Sequence, residues 1–254
     1  MNKRNKVFFL VFFMILIYFS LFIVSIHKNN DKSEKLLIND ISRLNPTIVR
    51  EIIKDDSVEG LIKGIIKAND EGIKVSISGK RHSQGGHAFY KDSLLLDMTS
   101  FNKIIHLDEK EKVLRVESGA TWGEIQDYIN SYNLSIEVMQ ASNIFTVGGS
   151  LSSNVHGNDP NYGPIITTVK SFRLLLANGT VISVDQSNNP ELFGLVIGGF
   201  GLFGVILDAD LKLTDNILYE KRTVGLTYSD FPYYFKKYME NNSDIGLYDT
   251  KLSI

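Results

Sequence analysis

The sequence predicts an α+β domain that follows a single transmembrane helix. Strand-like and helix-like segments alternate irregularly along the chain, without the regular β-α-β order of a parallel sheet. The 254 residues begin with a long uncharged apolar run, and the remainder is long enough for one well-packed domain. There is no cysteine, and the formal net charge is −2. These features exclude disulfides, thiolate metal sites and a catalytic thiol, and they provide no basic surface for nucleic acid.

Residues 7–26 form the predicted transmembrane helix. They are apolar or aromatic apart from two serines, and none is charged. At about 1.5 Å per residue, this run spans close to the thickness of the hydrocarbon core of a bilayer. It lacks an Ala-x-Ala-like cleavage site, so an uncleaved signal anchor is favoured over a removed signal peptide. The number of basic residues just before the run is close to the number just after it. The short preceding segment favours a cytoplasmic N-terminus, with the rest of the chain on the non-cytoplasmic side of the cell membrane.

The first elements after the anchor are a helix and two strands. Val58–Asn69 has apolar residues at helical spacing, and Gly72 follows as the expected end of that helix. Lys74–Ser78 alternates in the manner of a strand, and Leu94–Leu96 is a second strand-like run.

Two further signals are local and specific. Thr121 and Glu124 form a Thr-x-x-Glu capping box, which predicts a helix from Thr121 to Ile129 after a strand at Val113–Glu117. Asn178-Gly179 lies between two apolar runs and predicts a hairpin with a two-residue turn. The strands of this hairpin are Val169–Leu176 and Val181–Val184.

Gly199–Gly204 fits the G-x-G-x-x-G pattern of dinucleotide-binding folds, but its surroundings have the wrong order. That motif needs a strand before it and a helix after it, so that pyrophosphate meets the helix N-terminus. Here a helix-like Pro190–Val196 precedes the glycines, and a strand-like Val205–Leu213 follows them. A nicotinamide dehydrogenase therefore loses its main support.

We expect the chain to have five parts, with an aromatic-rich helix near Asp230–Glu240 in the last one. The parts are a short basic N-terminus (1–6), the anchor (7–26), a polar stalk (27–45), a central domain (46–215) and the beginning of a substrate or cap domain that is apparently truncated (216–254).

Three glycine-bearing segments carry the chemistry of the central domain. They are Ser78–His87, Phe145–Gly157 and Gly198–Gly204. Glycines let backbone amides turn towards an anion and let the backbone approach a flat ligand closely. Each segment alone could be a tight turn. Together they indicate a site for a large, flat, phosphorylated ligand.

The order of these segments resembles the FAD-binding domain of the vanillyl-alcohol oxidase and p-cresol methylhydroxylase (PCMH) type. Gly79–Ser83 is similar to the Gly-x-x-His-Ser loop of that family, which follows a strand. Glu117–Glu124 matches its Ser-Gly strand end and Trp-Gly-Glu helix, Thr146–Gly157 its Val-Gly-Gly to His-Gly stretch, and Gly201–Ile206 its late Gly-x-x-Gly-Val-Ile strand. The resemblance covers about residues 45 to 215. It is nearest to sugar-alcohol and aldonolactone oxidases, and it implies a two-subdomain fold that holds FAD.

The resemblance also implies the residues that contact the cofactor. They are Gly79, Lys80, Arg81, His82, Ser83, Gly85, Gly86, Ser118, Gly119, Thr146, Val147, Gly148, Gly149, Ser153, His156, Gly157, Gly199, Gly201, Gly204, Val205 and Ile206.

His82 is the candidate for a covalent bond to FAD, because many members of the family bond this histidine to the flavin C8-methyl group. Some relatives hold FAD without that bond. A metal site formed by His82, His87 and His156 is a less favoured alternative, since no carboxylate or cysteine accompanies these histidines. Trp122 is expected to pack its helix onto the sheet rather than to contact substrate.

The resemblance implies a membrane-anchored FAD-dependent oxidoreductase that takes hydride from an alcohol-type small molecule, by analogy a sugar or polyol. Oxygen or another acceptor would then reoxidise the flavin. The sequence assigns no general base and no other catalytic residue. A truncated flavin-binding module without turnover is the alternative.

Overall fold

Two main β-sheets form the body of the protein, in a computed structural model that describes residues 3–28, 36–240 and 242–251. Within these ranges the side chains of residues 3–11 and 25–28 are not described. Helices pack on both sheets, and the mixture confirms the predicted α+β class.

The chain begins with helix α1, Lys3–Lys28. The predicted transmembrane segment, residues 7–26, lies within α1, and its side chains from Phe12 to Val24 are all exposed. Within the described part of the chain, no helix combines the length and the apolar character needed to cross a membrane. The transmembrane part of the prediction is therefore not supported by the structure.

Residues 36–45 differ from the predicted polar stalk, because they fold onto the domain. Strand β1 (Leu37–Ile38) pairs antiparallel with β2 (Thr47–Ile48). Ile38 is only 3% exposed and packs with Val49 and Leu95. The remainder of the predicted stalk from residue 29 to 35, like residues 1 and 2, lies outside the described residues.

The smaller of the two main sheets has three parallel strands in the order β3-β5-β4. Their bounds are Glu51–Ile53 for β3, Val75–Ser78 for β4 and Leu94–Asp97 for β5. Helix α2 (Val58–Asp70) connects β3 to β4, which makes a β-α-β unit. This unit is not predictable from sequence periodicity, because β3 has only three residues and shows no periodic pattern.

The larger sheet is antiparallel, with strand order β10-β9-β11-β7-β6 and with β8 paired to the end of β11. Its strands are β6 (Ile104–Asp108), β7 (Val113–Glu117), β8 (Leu134–Ile136), β9 (Val169–Leu175), β10 (Val181–Asp185) and β11 (Val205–Asp215). Leu175, Val205 and Leu207 of this sheet pack in one cluster with α2 and the smaller sheet. A second cluster, which contains the fully buried Trp122, covers the opposite face.

Four further helices follow along the chain. They are α3 (Trp122–Ile129), α4 (Val147–Ser152), α5 (Pro190–Val196) and α6 (Phe231–Tyr234), and α6 continues into a π-helical turn at Phe235–Met239. Short 3₁₀ turns lie at Met98–Ser100, Asn130–Tyr132 and Ile165–Thr168. Helix α6 confirms the predicted aromatic helix. Helix α5 before Gly199–Gly204 and β11 after it confirm that the glycine motif does not have the order of a dinucleotide-binding fold.

The hairpin of β9 and β10 forms as predicted, but its turn is longer. Val181 pairs with Leu175, and the amide of Leu176 donates to the carbonyl of Thr180 at 2.8 Å. This leaves a three-residue loop in which Gly179 is left-handed, with φ 82°, whereas Asn178 has no positive φ. A two-residue type I′ turn needs positive φ at both central residues, so the predicted turn type was wrong.

The capping box at the start of α3 is present in full, and its loss is expected to destabilise the domain. Thr121 Oγ1 accepts from the amide of Glu124, and Glu124 Oε2 accepts from the amide of Thr121 at 2.7 Å. We expect Thr121→Ala to lower the free energy of unfolding by about 1 kcal/mol, measured by urea denaturation. The control is Thr180→Ala, since the Thr180 hydroxyl makes no hydrogen bond within the described residues; equal losses in the two variants would contradict the prediction.

Candidate functional site

One cleft, with a cavity volume of about 220 Å³, lies where the ends of the two main sheets meet. The end of β4 and the loop after it form one wall. The end of β7, helix α4 and the loop before β11 form the rest. The three glycine-bearing segments predicted from the sequence therefore meet at a single place.

Most of the predicted cofactor residues line this cleft. They are Gly79, Lys80, Arg81, His82, Ser83, Ser118, Thr146, Gly148, Gly149, Ser153, Gly201, Gly204 and Ile206.

The other predicted residues do not line the cleft. They are Gly85, Gly86, Gly119, Val147, His156, Gly157, Gly199 and Val205. Val147 and Val205 are buried in the two hydrophobic clusters. Gly119 lies against the backbone carbonyl of Met98, and His156 is exposed and contacts only the carbonyl of Gly157 by a hydrogen bond. These residues shape the surrounding turns and core instead of the cleft surface.

The remaining residues of the lining were not among the predicted cofactor contacts, although most of them lie within the three predicted glycine-bearing segments. They are Ile77, Ser78, His87, Ala88, Met98, Gln140, Phe145, Ser152 and Phe200. Ser78 could have been predicted from the sequence, because it ends an alternating strand directly before Gly79. Gln140 and Met98 carry no local signal, since contacts with distant segments bring them to the cleft.

Close backbone contacts hold the walls of the cleft together. A Cβ atom on Gly79 would lie 2.1 Å from Thr146 Oγ1, and one on Gly148 would lie 2.9 Å from the Cβ of Ser118. The amide of Gly148 donates to the carbonyl of Ser118 at 2.7 Å. Glycine is therefore required at both positions for steric reasons, because a side chain would separate segments that form the two walls.

Two buried hydroxyl groups in the cleft lack partners. Ser78 Oγ and Ser118 Oγ are buried side-chain atoms that make no hydrogen bond within the described part of the chain. The two serines are only 2% and 3% exposed, and both line the cleft. Because an unpaired buried hydroxyl costs about 1–3 kcal/mol, such groups are expected to meet a polar ligand.

The two basic side chains of the loop after β4, Lys80 and Arg81, have different surroundings. Arg81 has a left-handed backbone, with φ 61°, and its guanidinium donates to Asp97 Oδ2 at 2.7 Å. Asp97 is 7% exposed, so the charge of Arg81 is largely neutralised within the protein. Lys80 forms no ion pair with any described residue, and it is the cation of this loop that remains for an anionic ligand.

Two histidines line the cleft, and each contacts an aromatic ring. The rings of His82 and Phe145 are edge to face, with centroids 5.0 Å apart, and those of His87 and Phe200 are 5.2 Å apart. His87 Nδ1 also lies 3.1 Å from Ser83 Oγ. His156 lies outside the cleft, so the three histidines of the alternative metal site are not brought together.

Glu117, one residue before Ser118, is a buried carboxyl group whose effect on stability should depend on pH. Burial raises the pKa of its carboxyl, although the backbone amide of Lys103 donates to it at 2.6 Å. A pKa above the value of the unfolded chain means that the wild type loses stability as pH rises from the usual glutamate range through the folded-state pKa. We expect Glu117→Gln, which keeps an acceptor for Lys103, to gain stability over wild type as pH rises from 4 to 8 in urea titrations.

The matched control for this test is Glu111→Gln, since Glu111 is exposed on the turn before β7. Its stability should follow that of the wild type at every pH. A Glu117→Gln variant that is less stable than wild type at pH 8 would show that the carboxylate is stabilised in the fold.

The cleft offers a site for a large, flat, phosphorylated ligand, and comparison with known sequences identifies a flavin-binding family. Residues 52–185, more than half of the chain, match the sequence model of the FAD binding domain family. The chain belongs to this family, which confirms the resemblance seen in its motifs.

Several characterised relatives share this domain. L-Gulonolactone oxidase of Bos taurus is 26% identical over 73% of this chain and 40% of its own length. Decaprenylphosphoryl-beta-D-ribose oxidase of Mycolicibacterium smegmatis is 28% identical over 68% of this chain and 38% of its own length. Cytokinin dehydrogenase 1 of Arabidopsis thaliana is 28% identical over 68% of this chain and 31% of its own length. The chain thus spans 40% or less of the length of these relatives.

FAD is the cofactor that family membership assigns to the cleft, and the residues present fit it. The unpaired hydroxyls of Ser78 and Ser118 match a ligand rich in hydrogen-bonding oxygens. The ammonium group of Lys80 suits a phosphate. The rings of Phe145 and Phe200 and the side chains of Ile77, Met98 and Ile206 give the cleft the apolar surface that a flat ring system needs.

Proposed function

We propose that this chain is an FAD-dependent oxidoreductase that acts on an alcohol-type donor. The observation that carries the proposal is the cleft, in which three distant segments of an FAD binding domain converge around two unpaired buried hydroxyls. FAD supplies the redox chemistry when bound, since it accepts hydride from a donor and passes the electrons to oxygen or another acceptor.

The side chains of the cleft bind and orient the cofactor. Lys80 places a positive charge at the mouth of the Gly79 loop, where it favours the phosphates. Ser78 and Ser118 donate hydrogen bonds from buried positions, which fixes the cofactor relative to both sheets. Arg81 contributes indirectly, because its ion pair with Asp97 holds the loop against the end of β5.

The donor class is proposed from the names of the relatives. Four are named for sugar lactones, which are L-gulonolactone, D-arabinono-1,4-lactone and L-galactono-1,4-lactone, and one is named for a decaprenylphosphoryl ribose. We therefore place the substrate among sugars, polyols and aldonolactones.

His82 is proposed as the site of a covalent bond to the flavin. Its ring lines the cleft, it is held by the edge contact with Phe145, and neither ring nitrogen forms a hydrogen bond with any described residue. One nitrogen is thus available to attack. With FAD bound, the bond would join that nitrogen to the C8-methyl carbon; the two protons lost would go to solvent and the two electrons to oxygen as the oxidant.

The alternative is a flavin-binding module without turnover. To separate the two, the full chain is purified in detergent and its visible spectrum recorded. It is then mixed without oxygen with L-gulono-1,4-lactone, D-arabinono-1,4-lactone or sorbitol and an electron-accepting dye. Bleaching of the flavin bands and reduction of the dye support the oxidoreductase. Flavin bands that none of the donors bleaches support the module.

The membrane anchor at residues 7–26 is proposed together with this function. Its support is the sequence of residues 7–26, which is uncharged and almost entirely apolar. We place the FAD domain on the non-cytoplasmic side of the cell membrane. We expect the full chain to stay with membranes in alkaline carbonate and a chain that starts at Lys35 to be released. Release of the full chain by carbonate would contradict the anchor.

A further inference from the structure

Gln140 lines the cleft and is held from behind by two fully buried residues. The indole Nε1 of Trp122 lies 3.0 Å from Gln140 Oε1, and Ser150 Oγ lies 2.7 Å from the same oxygen. Trp122 and Ser150 are both 0% exposed. Gln140 itself is partly exposed, so its amide lies between the core and the cleft.

The indole determines which way the amide of Gln140 is turned. An indole N–H can only donate, so the atom of Gln140 that faces it must be the carbonyl oxygen and not the amide nitrogen. Ser150 Oγ also accepts from the indole N–H, at 2.9 Å, and its one hydroxyl proton is shared between Gln140 Oε1 and the carbonyl oxygen of Thr146, which lies at 2.9 Å. The polar atoms of this group are thus all satisfied by one another, and the carbonyl oxygen of Gln140 is fixed on the core side.

The amide nitrogen of Gln140 is consequently directed away from the core. Its two N–H groups donate to no acceptor within the described part of the chain. A partly exposed amide that is locked by its oxygen and open at its nitrogen is a preorganised donor, because the rotamer entropy has already been lost on folding. Gln140 is one of the residues that line the cleft, so a ligand bound there is the acceptor open to this donor.

Gln140 lies on the same stretch of chain as Phe145, which contacts His82 in the cleft. The stretch from Gln140 to Phe145 runs beside the start of α3, since the amide of Trp122 donates to the carbonyl of Phe145 at 3.1 Å and that of Gly123 to the carbonyl of Asn143 at 2.9 Å. Phe145 contacts His82. If His82 bonds to the flavin ring, the ring lies on the wall of the cleft that this stretch forms.

We propose that Gln140 donates a hydrogen bond from its amide nitrogen to an acceptor atom of the flavin ring, with Trp122 and Ser150 as positioning residues. The inference rests on the proposed function in one respect, the placement of the ring beside His82. A donor at the ring stabilises the negative charge that the ring gains on reduction, so Gln140 raises the midpoint potential of the bound flavin.

The test is a reductive titration of the full chain with dithionite, followed by the visible spectrum. We expect Gln140→Glu to shift the midpoint potential downwards and to shift the flavin bands, because the carboxylate keeps the bonds from Trp122 and Ser150 but replaces the donor by an anion. Gln140→Leu should shift the midpoint potential and the flavin bands in the same direction, but by a smaller amount. Trp122→Phe should produce a smaller downward shift, and adding it to Gln140→Leu should produce no further shift, because the indole acts through the amide.

The matched control is Gln186→Glu, on the exposed loop after β10, which should leave the potential and the spectrum of the wild type unchanged. Wild-type potential and spectrum in flavin-loaded Gln140→Glu would overturn the inference, and so would a loss of FAD affinity with no spectral or potential shift. Dithionite needs no substrate. A wild type that oxidises no donor therefore fails the oxidoreductase proposal, while the shift in the Gln140 variants decides this inference.

Discussion

Replacing His82 with alanine is expected to release the flavin when the protein is denatured. In the wild type, yellow fluorescence should stay with the polypeptide through acid precipitation and denaturing electrophoresis, because a bond from the imidazole to the C8-methyl group survives unfolding. In His82→Ala the fluorescence should be entirely in the supernatant. The contacts of Ser78, Ser118 and Lys80 do not involve His82, so the folded variant should still bind FAD without the bond.

His106→Ala is the matched control, because His106 is exposed on β6 and does not line the cleft. It should retain fluorescence on the polypeptide at the wild-type level. Flavin that leaves the wild type on denaturation would end the proposal of a covalent bond without affecting FAD binding itself. Retention of fluorescence in His82→Ala would transfer the bond to another residue, with His87 as the other histidine of the lining.

Gly119→Ala is expected to have the largest effect on stability of any glycine-to-alanine change among the described residues. A Cβ atom there would lie 1.8 Å from the carbonyl oxygen of Met98 and 2.5 Å from that of Phe101. Both are backbone atoms, so no side-chain rotation relieves the clash, and the amide of Gly119 already donates to Phe101 at 2.8 Å. We expect a loss of about 3 kcal/mol or more in the free energy of unfolding, with loss of FAD because the neighbouring Ser118 is displaced.

Gly194→Ala is the control, because it adds the same methyl group in α5 with nothing within 4 Å. Alanine lowers the conformational entropy of the unfolded chain and suits a helix, so this variant should gain about 0.5–1 kcal/mol. Urea denaturation and bound flavin per chain measure both variants. Equal stability of the two would show that the backbone around Gly119 relaxes without cost.

Features that depend on neighbouring residues were predicted correctly, whereas features that depend on contacts between distant residues were not. The capping box of Thr121 and Glu124, the helix after Ser57 and the strand before Gly79 were predicted correctly, because each depends on residues within one turn or one strand. The turn at Asn178-Gly179 was predicted with the wrong length, since the register of β9 and β10 is set by their pairing in the sheet. The predicted end of the stalk was too far along the chain, because the burial of Ile38 depends on its contact with the distant Leu95.

The Gly79 loop shows the same division within the site. The sequence alone predicts a glycine-rich loop with a histidine, its place after a strand and the FAD family to which it belongs, because these are patterns of neighbouring residues. The fold determines that Arg81 is paired with Asp97, that Ser78 and Ser118 are buried without partners among the described residues, and that Trp122 holds the carbonyl oxygen of Gln140. Each of these facts joins residues that are many positions apart, and no periodicity or spacing along one segment encodes them.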